Sequence, residues 1–318
     1  MEASTLTESK RKKHFSMHKF KAQVTMHTMM LPALIFALIF SIGPLFGLII
    51  AFQDFKSWKG IDGSDFVGFD NFIELFGQPN FFEVLRNTIV IAIGKIVAIT
   101  ILSIVMALLI NEVQNEKLKK IIQVTIFLPY FLSWVLIGNV FVDMFSSTGA
   151  VNATLNLFGI ASTEKWLTNN DYFQGIIIAT DVWKNLGYQV VVFLAAMTGI
   201  NSNLYEAAEI DGAGHLQKCW HITLPGIKSM IVLMCILNIG NIMNAGFEQI
   251  LVMYNDLVIP TGDILDTLAH RYAFPVGGVG LPDFSFSTAV GLFKSVVSCI
   301  FFIISYRIAF KVADYKLF

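Results

Sequence analysis

An all-α integral membrane protein with six helical spans is predicted by three features of this 318-residue chain: apolar composition, six separated apolar runs and a one-sided distribution of basic residues. Apolar side chains make up 55% of the chain, charged ones 14%, and mean hydropathy is +0.66. Soluble domains carry about 45–50% and about 25% respectively, so the composition excludes an ordinary soluble fold. A helix needs about 20 apolar residues to cross a bilayer. Runs of that size lie at about 26–52, 84–110, 121–144, 172–198, 225–250 and 286–310. Lys10, Arg11, Lys12, Lys13, Lys19 and Lys21 precede the first run, Lys117, Lys119 and Lys120 follow the second, Lys218 and Lys228 flank the connection between the fourth and fifth, and Arg307, Lys311 and Lys316 close the chain. The alternate loops hold Lys56, Lys59, Arg86, Lys165 and Arg271 among carboxylates such as Asp62, Asp65, Asp70, Asp256, Asp263 and Asp283. The positive-inside rule therefore assigns both termini, the 111–120 loop and the 200–225 connection to the cytoplasm. The expected organisation is a cytoplasmic basic tail at 1–25, a multi-pass six-span domain at 26–310 and a cytoplasmic C-terminal tail at 311–318.

The basic tail is attracted to anionic lipid. His14 and His18 are four apart, but two histidines make a poor metal site. The first run is too long for a signal-peptide core and no small-residue cleavage site follows it, so it reads as a retained span. Pro32, Gly43, Pro44 and Gly47 should bend it or admit a close neighbour. Spans two and three, joined by the short 111–120 turn, form an antiparallel hairpin, with Pro129 kinking the third. Cys219, Cys235 and Cys299 form no CxxC pair, which argues against a disulfide framework or a zinc site. A net charge of −1 gives no sign of nucleic-acid binding.

Polar residues inside spans face a bundle interior or water rather than lipid. Lys95, Asn139 and Asp143 are pathway candidates on that ground, and for Lys95 a packing role with a partner carboxylate stands equally open. Span four carries Asp181, Trp183, Lys184, Asn185, Tyr188 and Gln189. Span five carries Asn238, Asn241 and Asn244, spaced by three along one face, followed by Glu248 and Gln249. Aromatic rings suit the C–H faces of a sugar, and amides suit its hydroxyls. The pathway candidates on these two spans are Trp183, Asn185, Tyr188, Asn238, Asn241, Asn244 and Glu248, with Lys294 in span six a weaker one. Interhelical hydrogen bonding is an equal alternative for the amides.

The 200–225 connection reads as a helix-turn-helix knob. Asn203 with Glu206 three residues on is the pattern of an N-cap and its reciprocal carboxylate, Gly212 and Gly214 allow the positive φ that ends a helix, and Leu224-Pro225 suits the start of the next. The small Ala207-Ala208 face, flanked by Glu206 and Asp211, suits docking. Glu206-Ala207-Ala208, Asp211-Gly212-Ala213 and Ile222-x-Leu224-Pro225 resemble the cytoplasmic EAA loop of ABC importer permeases of the carbohydrate type. Cys219 departs from the aromatic residue usual just before Trp220. Gly43–Phe52, Val67–Phe72, Phe247–Ile250 and Thr288–Phe293 are similar to the polysaccharide-type subgroup.

The resemblance implies a type I ABC importer permease in a bacterial-type cell membrane. Its coupling helix would use Glu206, Ala207, Ala208, Asp211, Gly212, Ala213, Leu224 and Pro225. It also implies a second permease subunit, two ATPase subunits that bind ATP and Mg, an external solute-binding protein and a carbohydrate substrate. This chain would itself carry no cofactor, metal or catalytic residue. Gly94-Lys95 lacks the leading glycine and following Ser or Thr of a phosphate loop. The alternative is an ion-coupled secondary sugar transporter using Lys95, Asp143, Asp181 and Lys184, although no inverted repeat relates the first three spans to the last three.

Overall fold

The computed structural model describes residues 17–275 and 281–313, with side chains from 24 to 275 and from 281 to 308. Most of both expected tails, including Lys10, Arg11, Lys12, Lys13, His14 and Lys316, lies outside the described residues. The chain forms two compact units, Met1–Ile49 and Ile50–Phe318. In the first, helix α1 (Met17–Ala37) continues as a π-helical turn, Leu38–Ile42, and a 3-10 stretch beginning at Gly43 and running to Phe52. The change of spacing falls at Gly43-Pro44, where proline removes the N–H of an i→i−4 bond. Residues 24–46 are exposed, giving an apolar rod with a lipid-type surface.

The second unit opens with a two-residue antiparallel ladder, Gln53–Asp54 against Asp65–Phe66, and helix α2 (Asp70–Gly77). Asn71 clamps this corner by donating to the carbonyls of Ala51 (2.9 Å) and Gln53 (3.1 Å). Helix α3 (Phe81–Asn111) packs along α7 (Asn170–Met197). Gly94 belongs to that packing, since a Cβ there would meet the Ile178 side chain. Between them come α4 (Glu116–Phe127), capped by the Asn115 side chain, α5 (Trp134–Met144) and α6 (Ala150–Leu157). The expected kink in span three is a full break. The α4 arm, extended by a 3-10 turn to Phe131, meets α5 at 99°, with Pro129 buried at the corner and Ser133 capping α5.

After α7 follow α8 (Ser202–Ile210), α9 (His215–Lys218), α10 (Leu224–Gly226) and α11 (Lys228–Gly240). The chain then unwinds, and α12 (Phe247–Met253), α13 (Ile259–Gly262), α14 (Leu265–Ala273) and α15 (Phe284–Ala313) complete it. The single fifth span expected at 225–250 is thus interrupted. It ends at Gly240 and helix resumes only after Gly246, at φ +94. One apolar core joins α3, α5, α7, α12, α14 and α15 around Phe173, Ile250, Leu268 and Phe286, and a second joins Ala107, Phe193, Ile227 and Met234 near the knob. Lys294 is explained within this packing, because it ties α15 to α14 through both Asp266 oxygens at 2.6 and 2.7 Å. Among the described residues, three helices are long and apolar enough to cross a membrane, or five if each of two bent pairs counts as one span.

Candidate functional site

Two features carry the chemistry, and α7 and α11 connect them. At one end of these helices the knob spans Asn201 to Gly226. Its first helix starts earlier than Asn203 suggests: Asn201 is the cap, its side chain accepting from the Asn203 N–H at 3.0 Å. It ends in a Schellman closure. Gly212 takes φ +74, its N–H donates to Glu209 O (3.0 Å), and the Ala213 N–H reaches back to Ala208 O (2.8 Å). Gly214, by contrast, sits at φ −71 as the N-cap of α9, so only one of the two glycines needs the left-handed region. Pro225 lies in the last turn of the bent segment rather than at the head of the next span, which begins at Lys228.

The knob is held from behind. Tyr205 and Thr223 pair hydroxyls at 2.9 Å, Lys218 donates to Glu209 at 2.6 Å, and Glu112 at the end of α3 meets His215 at 2.6 Å and Cys219 at 3.7 Å. Cys219 therefore makes a polar tether where an aromatic was expected. The outer surface of the knob is open: Ile210 is 88% exposed, Leu216 86% and Trp220 71%. Glu206, Ala207, Asp211 and Gly212 are exposed too, while Ala208, Ala213 and Leu224 are half-buried. A concavity of about 420 Å³ lies between Ala208, Asp211–Ala213, Lys218 and Ile222.

The second feature is a cavity of about 280 Å³ among α3, α7, the Leu128–Phe131 turn and the unwound end of α11. Asn185, Tyr188, Asn238, Asn241 and Asn244 all line it, together with Lys95, Tyr130, Asp181 and Gln189. Asp181, Asn185 and Tyr188 recur at i, i+4 and i+7 on one face of α7. Trp183, two residues beyond Asp181, packs edge-on against Phe141, and Glu248, exposed at the start of α12, does not line the cavity. Asn139 and Asp143 are exposed and do not line it either.

The three span-five amides do not form the expected stripe on a continuous helix. Asn241 caps the end of α11, with its side chain on Leu237 O at 3.0 Å, and Asn244 lies in the unwound segment. Unwinding nevertheless brings them to one wall. Asn238 Nδ2 is buried and makes no hydrogen bond to the protein, which leaves a donor at this wall. Tyr130 and Tyr188, also in the lining, stack at 5.1 Å and 13°. Lys184 is committed elsewhere, donating to Tyr130 O at 3.1 Å with its ammonium 5.5 Å from the Tyr130 and Trp134 ring centres. Sequence reasoning groups Asp181 and Gln189 with the polar face of span four but leaves Lys95 apart from the amides, and it misses Tyr130, which the 3-10 corner brings to the cavity.

Comparison with known proteins places these features in context. The model of the family described as binding-protein-dependent transport system inner membrane component matches residues 99–314. The polygalacturonan/rhamnogalacturonan transport system permease protein YteP of Bacillus subtilis is 37% identical over 297 residues, 93% of this chain and 91% of that protein. The arabinooligosaccharides transport system permease protein AraP of Halalkalibacterium halodurans is 30% identical over 244 residues, 76% of this chain and 73% of that protein. In the crystal structure of a bacterial alginate ABC transporter in complex with alginate pentasaccharide-bound periplasmic protein, one chain matches with a TM-score of 0.84 at 30% identity, covering 94% of this chain and 99% of that one.

Proposed function

The chain belongs to the binding-protein-dependent inner membrane components, the permease subunits of ABC importers of the carbohydrate type, and from that premise we propose that it forms half of a pathway for an oligosaccharide or polysaccharide fragment. It is a non-catalytic subunit. In this reading α7 is the remaining span, giving six with both termini in the cytoplasm. The knob docks on one of two ATPases that supply ATP and Mg chemistry, a second permease closes the pathway, and an external binding protein delivers the sugar. The substrates for which the relatives are named, polygalacturonan/rhamnogalacturonan, arabinooligosaccharides and alginate, support the substrate class.

One observation carries the coupling: the knob is the direct link between α7 and α11, and these two helices supply most of the polar lining of the cavity. Displacing the knob would act on both walls without an intermediary. The cavity chemistry supports a sugar, with amides for hydroxyls and a stacked tyrosine pair for C–H faces. For the ion-coupled alternative, charges within the bundle are already engaged: Lys95 with Asp181 at 3.3 Å, Lys184 with Tyr130 O and half-buried Lys294 with Asp266.

Reconstitution in liposomes tests the reading. Uptake of a labelled oligosaccharide is expected to require the binding protein, the partner permease, the ATPases and ATP, and to stop when any one is omitted. Uptake by this chain alone, driven by a sodium or proton gradient, would overturn it.

A further inference from the structure

Lys95 lines the cavity, and its ammonium is already held by two hydrogen bonds and an ion pair. An ammonium has three donors, and Nζ faces Gln249 Oε1 at 2.5 Å, Ala245 O at 2.7 Å and Asp181 Oδ1 at 3.3 Å. Gln249 is fully buried and passes the connection on, donating to Ile177 O and Thr180 Oγ1, each at 2.8 Å. Three parts of the fold meet here: α3 through Lys95, α7 through Ile177, Thr180 and Asp181, and the non-helical Asn241–Gly246 segment with the start of α12 through Ala245 and Gln249.

That segment presents Asn241 and Asn244 to the cavity. It lacks a helical ladder of its own, so its conformation depends on outside anchors. Gly246 holds φ +94, and a Cβ there would collide with Lys95 Nζ, so lysine and glycine fit each other.

Building on the pathway reading, we propose that Lys95 is a positioning residue: through Ala245 O and Gln249 it fixes the unwound Asn241–Gly246 segment so that its amides meet the sugar hydroxyls. Its charge is cancelled by Asp181. The ligand is read by neutral amides and tyrosines, and Lys95 does not bind it.

The test uses the complete transporter complex with Cys219, Cys235 and Cys299 replaced by Ser, and measures modification by a small hydrophilic thiol reagent with no substrate present. Asn244→Cys reports on the segment and Trp183→Cys on an α7 position outside the cavity lining. The double variant Lys95→Met with Asp181→Asn removes both charges together, so neither partner of this pair is left as a buried ion without the other. Gln249→Met breaks the anchor while keeping the ion pair. In either background, modification at position 244 is expected to be roughly tenfold faster as the segment opens locally, with the rate at position 183 unchanged. Should only one of the two backgrounds assemble, its labelling rates decide the matter alone. Unchanged labelling at 244, or equal acceleration at 183, would overturn the proposal in favour of general packing. Because no substrate enters, failure here is separate from failure of the uptake experiment.

Discussion

Gly212 shows how much one backbone angle decides. Nothing lies within 4 Å of a Cβ built on it, so the cost of replacing it is purely conformational at φ +74. A β-branched residue there is disfavoured by about 1–3 kcal/mol, whereas Asn tolerates the left-handed region. Gly212→Val is therefore expected to reduce both pull-down of the ATPase and uptake severalfold, with Gly212→Asn close to the parent. Equal behaviour of the two variants would separate the Schellman closure from coupling. Glu209 makes a complementary case. The Lys218 hydrogen bond and charge, with His215 adding to them, hold its carboxyl below the usual carboxylate range. A carboxylate with a lowered native pKa keeps its partner above its ordinary titration range and loses it as pH falls through the lowered value. ATPase binding by the isolated complex should thus be insensitive to this pair between about pH 6 and about pH 8. Glu209→Gln should mimic the acid state at neutral pH, measured as a weaker pull-down than the parent.

At the scale of elements, close approach explains what composition hides. A Cβ on Gly187 would run into the Ile126 carbonyl and the Phe127 Cα, backbone atoms that cannot rotate away, where α7 crosses α4. Gly175 in the same helix has open space around it. Gly187→Ala is expected to destabilise the detergent-solubilised protein by about 1–3 kcal/mol, and Gly175→Ala to stabilise it by up to about 1 kcal/mol through helix propensity. Thermal unfolding of the two variants checks the contrast. The extents of α3, α7 and α15 are legible from apolar runs, and the Gly212 turn from its motif. A bend in the third run is legible from Pro129 but its 99° extent is not, and the break after Gly240 is not legible at all. An apolar run reports burial in lipid or core and carries no signal for continuity of the helix inside it. The second break is held by Lys95, 150 residues away from Ala245 in sequence, so no local window contains its cause. The same distance explains the site: Asn238, Asn241 and Asn244 are recognisable as a polar set, while the convergence with Asn185 and Tyr188 depends on tertiary packing of α7 against α3. Residue type alone singles out Trp183 and Glu248, which do not line this cavity.

For the whole molecule the decisive element is α7. Apolar length alone gives at most five spans among the described residues, and an odd number would put the termini on opposite sides of the membrane. Yet α7 has 28 residues, about 42 Å at 1.5 Å per residue, more than the hydrocarbon core requires. Its charges are not offered to lipid: Asp181 pairs with Lys95, and Lys184 donates to Tyr130 O while lying against two aromatic rings. A charge satisfied inside the bundle does not bar a helix from spanning. In the proposed reading, with each bent pair counted as one span, α7 makes six, which agrees with the basic residues before the first run, in the 111–120 loop, around the knob and at the C-terminus. Protease digestion of epitope tags at the two termini in sealed inside-out vesicles should remove both, and in right-side-out vesicles neither. Loss of one tag in each orientation would mean an odd number of crossings and would place the two termini on opposite faces of the membrane, against the six-span reading.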